Sequence, residues 1–137
     1  MPAVSFRHDH NQIIIPIAIL PPELDPEPFR AIRINGLIDT GASVSGIRGS
    51  VAQELRLPRR GKEIITTPGG EYAARLYQFR LGFYVDPSAA MPHVLSREFI
   101  GIECSPGRSF DALIGMDVLG SGDLTIFRDG HGAFVFD

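Results

Sequence analysis

Leu37-Ile38-Asp39-Thr40-Gly41-Ala42-Ser43 carries an acid straight out of an apolar run into a turn of small and hydroxyl-bearing residues. An acid directly after Leu-Ile stands near the end of a buried strand, where a bare carboxylate is costly. Such a placement needs hydrogen bonds, a partner charge or a chemical task. Thr40 offers a hydroxyl, and Ser43 a second one within reach of the carboxylate. Gly41 lets the backbone turn close by without a side-chain clash. Taken alone, Asp-Thr-Gly reads as an Asx-type turn closing a strand.

The residues on either side add to that reading. Apolar-apolar-Asp-Thr-Gly-Ala-Ser resembles the active-site loop of the retropepsin-like (retroviral-type) aspartic proteases. A second stretch, Ala112-Leu113-Ile114-Gly115-Met116-Asp117-Val118-Leu119, resembles the strand, glycine and short helix that follow the flap in that family. The two stretches stand in the family order and about the family distance apart. With the segments between them, the resemblance runs from Ile13 to Asp137.

The resemblance implies a retropepsin-like closed β domain that is active as a two-fold dimer. Asp39 is then the catalytic acid. Thr40 braces two loops across the dimer axis, and the Gly41 N–H and Ser43 hydroxyl hold the carboxylate. Ala42 and Ile114 line the cleft near the reacting bond. Pro68, Gly69 and Gly70 form the tip of a flap that closes over substrate. The chain has a single Asp-Thr-Gly, so the second acid must come from another copy, with Asp39 facing its twin across an isologous interface. Asp117 belongs to the structural helix. Retroviral members often pair an acid at position 43 with a base at position 116. Ser43 and Met116 lack both charges together, which strands neither and implies a dimer edge held differently. The Ser at 43 points to the bacterial or cellular branch. Family architecture also suggests a dimer interface built from the terminal strands, including Phe134 and Phe136.

Residue patterns give the elements. Residues 1–12 read as a polar N-terminal arm or edge segment and 13–137 as the domain. His8-Asp9-His10 reads as part of the arm, because no further metal ligand is apparent. Ile13–Leu20 is β-branched and strand-like, with Pro16 requiring an edge or a bulge. A proline-rich connection over residues 21–28 leads to a partner strand over 29–38. Asn35-Gly36 has a hairpin signature, but a turn there leaves only Leu37-Ile38 before Asp39, so one continuous strand is expected. Ser50-Val51-Ala52-Gln53 has capping-box spacing and predicts a short helix to about Arg56, stopped by Pro58. Arg59-Arg60-Gly61-Lys62 reads as a solvated basic loop. Glu63–Thr67 and Tyr72–Arg75 read as a hairpin about Pro-Gly-Gly. Leu76–Val85 and Glu98–Glu103 read as further strands, and His93 as a loop residue. Residues 105–109 read as a turn. Leu124–Phe127 and Ala133–Phe136 make a last hairpin about Asp129-Gly130. Helix is scarce, so the fold class is all-β, barrel-like, with one or two short helices.

Composition narrows the function classes. The 137 residues fit one domain; 44% hydrophobic content, 21% charge and a net charge of −3 fit a globular chain without a nucleic-acid footprint. The longest apolar run is too short to span a bilayer. The first residues lack a secretory layout, and Cys104, the single cysteine, has no internal disulfide partner. A cytoplasmic protein is the expectation. Cys104 has no nearby His, so a catalytic thiol is not indicated. No metal or organic cofactor is implied. Two functions follow: a homodimeric aspartic endopeptidase acting on peptide or protein substrates, or a non-catalytic peptide- or protein-binding module on the same fold.

Overall fold

The computed structural model describes residues 1–22, 30–105 and 109–137. Most of the proline-rich connection, the start of the strand expected at Phe29 and the middle of the 105–109 turn lie outside the described residues.

Strands β2 (Ile14–Leu20) and β3 (Ile32–Ile38) pair antiparallel with Ile17 opposite Ile34. Asn35 and Gly36 stay inside β3, opposite Pro16 and Ile15. The hairpin signature is overridden because a Cβ on Gly36 would meet Ile114 Cδ1 at 2.9 Å and Ile17 Cδ1 at 3.0 Å. Packing, not a turn, selects glycine here. Gly36→Ala is therefore expected to cost about 1–2 kcal/mol, because two isoleucine side chains must move; urea denaturation measures it. Pro16 lies where β2 has only β3 beside it, since pairing to the far neighbour starts at Ile17. The missing N–H is thus accommodated at a local edge.

After β4 (Gly46–Arg48) comes helix α1 (Gly49–Leu55), which buries Val51, Ala52 and Leu55. The capping box is not formed. Arg48 is the N-cap and makes no side-chain cap bond. The helix ends at Arg56, in left-handed backbone at φ 52°, two residues before Pro58. The basic run is not a loop: Arg59–Thr67 is strand β5, with a register shift between Arg59 and Lys62. Gly70–Phe83 forms one long strand, β6, where the sequence suggested two. His93 also lies in a strand, β7 (His93–Val94). Strands β8 (Phe99–Cys104) and β9 (Ala112–Ile114), helix α2 (Met116–Leu119), and strands β10 (Asp123–Ile126) and β11 (His131–Val135) complete the order.

The larger sheet runs β2-β3-β9-β4-β8-β6-β5. Strand β2 also pairs with β6, so six strands close into a ring and β5 hangs off β6 as an outer strand. Closure buries both faces of β2, which explains its near-continuous apolar sequence. Within the N-terminal segment, Ala3–Arg7 forms β1, at one edge of a small antiparallel sheet ordered β1-β11-β10. Phe83 of β6 meets Phe136 at 4.8 Å and Phe134 of β11 at 5.5 Å, ring centre to centre, and this aromatic cluster joins the two sheets. Phe134 and Phe136 are thereby fully buried inside one chain, so the suggestion that they face a second copy is corrected. None of the described helices is long and apolar enough to cross a membrane.

Candidate active site

Strands β3 and β9 run parallel, with Ile38 beside Ile114. Each ends in a tight turn, and the two turns lie against each other. The first holds Asp39. Its N–H donates to the Ile114 carbonyl at 2.9 Å, and its own carbonyl accepts from the Ala42 N–H at 3.2 Å. The Gly41 N–H donates to Asp39 Oδ1 at 3.0 Å. A carboxylate is thus fixed at a strand end, half-buried, by the backbone of its own turn. Thr40 and Ser43 are exposed. The Ser43 hydroxyl makes no hydrogen bond among the described residues, so within one chain the carboxylate is held by Gly41 alone of the two supports expected.

The turn is anchored from α2. Ser45, 1% exposed, is the buried polar side chain among the described residues. Its hydroxyl donates to Asp117 Oδ1 at 2.7 Å and its N–H donates to Asp117 Oδ2 at 3.1 Å. The same hydroxyl accepts from the Gly115 N–H at 2.9 Å. The Met116 N–H donates to the Ala42 carbonyl at 2.8 Å. A Cβ on Gly115 would stand 2.8 Å from the Ala42 oxygen and 2.9 Å from the Val44 carbonyl carbon, so only glycine allows this approach. The Asp117 carbonyl accepts from Arg97, whose guanidinium lies over the Phe99 ring at 4.4 Å. Ser45 and Asp117 were missed as site-building residues. An acid in the first turn of a helix that follows a glycine was the available signal.

Next to Asp39 opens a cleft of about 590 Å³. Leu37, Ile38, Asp39 and Thr40 form one side; His8 to Ile13, except Asp9, and Ile126 to Arg128 form the others. Among the described residues that line it, Asp39 is the one acid. Ile114 does not line it: its side chain is 0% exposed and packs on Gly36. Strand alternation puts its half-buried neighbour Leu113 on the opposite face, beside Leu37. The expectation for Ile114 is corrected accordingly; its part is to receive the Asp39 N–H. Ala42 is half-buried and uses both backbone groups within the two turns.

Strands β5 and β6 form the hairpin expected of a flap, with Thr67 opposite Gly70 and Pro68-Gly69 at the tip. Gly70 has φ 122°, which a side chain rarely tolerates. Pro68, Gly69 and Gly70 are exposed and do not line the Asp39 cleft in this conformation. Ile64 and Tyr72 on the hairpin are exposed apolar side chains. Cys104 is removed from the chemistry: burial pushes its thiol up to about 11, with Arg48 opposing and Glu103 adding to the rise. It is a neutral thiol at physiological pH. Among the described residues no group of three or more His, Cys, Asp or Glu is placed to hold a metal ion.

A search of the curated proteins found no match. Among solved structures the chain is similar to a retropepsin-like aspartic protease from Rickettsia conorii. The identity is 15%, the match covers 98% of this chain and 90% of the other, and the TM-score is 0.62. That likeness establishes the fold as retropepsin-like. A family model described as aspartyl protease matches residues 31–118, a span that holds both turns. By that match the chain belongs to the aspartyl protease family.

Proposed function

We propose that the chain is an aspartic endopeptidase that works as a homodimer, with Asp39 of each copy forming the catalytic pair. The observation that carries this is the solitary carboxylate: Asp39 is fixed at the edge of a cleft that, among the described residues, is lined by no other acid. Two carboxylates held in contact cannot both ionise easily, so one keeps a proton while the other is charged. The ionised member takes a proton from a water as that water's oxygen bonds to the scissile carbonyl carbon. The protonated member donates to the carbonyl oxygen. Collapse of the tetrahedral intermediate breaks the C–N bond, and the leaving nitrogen takes up a proton. The Gly41 N–H steadies the charge of each carboxylate, and Thr40, exposed at the turn, braces the two turns against each other. The β5–β6 hairpin closes over an extended peptide and pairs with its main chain.

The second copy is supported by the outer edge of β10. That strand pairs only with β11, and Ile126 and Phe127 at its end are each 53% exposed. Edge pairing there gives a continuous sheet across the two copies and covers both side chains. Sedimentation velocity at several concentrations, with a peptide-cleavage assay on the same samples, tests it. A two-chain species is expected, with specific activity falling as it dissociates. Full activity from a strictly single-chain species refutes the pairing of the acids.

A further inference from the structure

The Asp39 cleft has a side wall that hydrolysis itself does not use. It is built by the segment between β1 and β2. Asp9 Oδ1 accepts from the N–H groups of Gln12 at 2.8 Å and Asn11 at 2.9 Å. These two bonds, Gln12 foremost, hold the Asp9 carboxyl below the usual carboxylate range. The turn leaves His10 at φ 71°, backbone that a non-glycine residue adopts uncommonly. His8 is fastened at both ring nitrogens: Nδ1 accepts the His10 N–H at 3.2 Å, and Nε2 donates to the Phe127 carbonyl at 2.7 Å. Both bonds together fit the tautomer with its proton on Nε2. The His10 ring meets His8 edge-on at 4.9 Å; its nitrogens make no hydrogen bond among the described residues, and the Asp9 carboxylate lies within electrostatic reach. Arg128, next after Phe127, makes no hydrogen bond or ion pair among the described residues and is exposed. Ile126 and Phe127 lie on the edge that a second copy would cover. The groups left for a substrate on this side are His10, Asn11, Gln12 and Arg128.

We propose that this wall is a specificity subsite for an acidic side chain, Asp or Glu, of the peptide substrate, with Arg128 as its charged contact and the His10 ring N–H and the Asn11 and Gln12 amides as further donors. The proposal rests on the reading that peptides bind in this cleft. An acidic side chain brought near the catalytic pair meets like charge. It is accommodated only where a cation stands beside it. Arg128 is charged at every relevant pH and presents a planar fork suited to a carboxylate. The His10 ring is held in place by an unusual backbone and by His8, so little ordering is left for binding to impose. A neutral side chain in the same position leaves the guanidinium half-desolvated with no opposite charge.

The test uses pairs of fluorescent decapeptides that differ by Glu or Gln at a single position, scanned along the sequence. Binding is read by anisotropy on the Asp39→Asn chain, and cleavage by kcat/KM on the unaltered chain. At one position Glu is expected to outperform Gln about 10-fold in both readouts, the size of one charge-assisted hydrogen bond. Arg128→Gln and His10→Gln should each bring that ratio toward one. Cleavage without a Glu preference, or a preference that survives both substitutions, overturns the subsite and leaves the protease reading standing. A Glu preference in binding with no cleavage by the unaltered chain supports the subsite and overturns the hydrolytic reading. Neither binding nor cleavage overturns both. The ratio on the unaltered chain decides the matter even where a variant fails to fold.

Discussion

Asp39→Asn is expected to lower peptide hydrolysis by roughly 10²–10⁴-fold, the range that a positioned acid–base group contributes. Its thermal melt should stay almost where it was. The reason lies in the turn. Asp39 Oδ1 accepts one hydrogen bond, from the Gly41 N–H, and the amide oxygen of Asn accepts the same bond. The Asp39 backbone bonds to Ile114 and Ala42 do not involve the side chain. What the substitution removes is the ability to hold and release a proton. A casein or peptide-library digest together with a circular-dichroism melt measures both sides. Equal digestion by the two chains would remove Asp39 from the chemistry. On the homodimeric reading proposed above, activity should rise and then fall across the acidic range, with both limbs belonging to the pair of acids.

Asp117→Ala should destabilise the fold by about 3 kcal/mol. Both Asp117 oxygens are engaged by Ser45, and Ser45 is buried at 1% exposure. Truncation leaves the Ser45 N–H and hydroxyl without acceptors away from water. Losing a charge-assisted bond and stranding a buried donor each carry a penalty of this order. Asp117→Asn should cost about half as much, because its oxygen still accepts from one Ser45 donor while its NH₂ faces the other. Urea denaturation gives the stability difference. Activity measured where the variant is fully folded should also fall, since the turn bearing Asp39 loses the side-chain part of its tether to α2 and keeps the bond from the Met116 N–H to the Ala42 carbonyl. A change under about 0.5 kcal/mol, with unaltered activity, would place the anchoring elsewhere.

The outline of the molecule could be read from residue patterns because burial imposes periodicity. The β-branched run Ile13–Leu20 signalled a strand, and Ala112 to Leu119, by its resemblance, signalled the strand, glycine and short helix that the structure contains. Several local readings failed for identifiable reasons. Ser50 had the spacing of a cap, but the chain enters α1 directly from β4, which makes Arg48 the N-cap. Arg59 to Lys62 looked solvated, and it is exposed, yet backbone pairing to β6 recruits it into a strand whatever its side chains. Ile114 was expected in the cleft from the resemblance, and it is buried instead; a three-residue strand shows too little alternation in sequence to check such a placement. Ser45 and Asp117 could not be paired from sequence, since 72 positions separate them and only the fold brings them together.

Closing six strands into a ring removes most sheet edges, and the outer edge of β5 is one of those that remain. That edge strand carries Arg59, Arg60 and Lys62, and a glycine with φ 101° breaks its register at Gly61. Charge and irregularity are both barriers to cross-β stacking. Indiscriminate aggregation is resisted along this rim, whereas β10, the outer strand of the smaller sheet, carries no lysine or arginine. High ionic strength weakens the charge safeguard and leaves the irregular register at Gly61 in place, so the colloidal behaviour of this small protein depends on salt through one margin of its sheet.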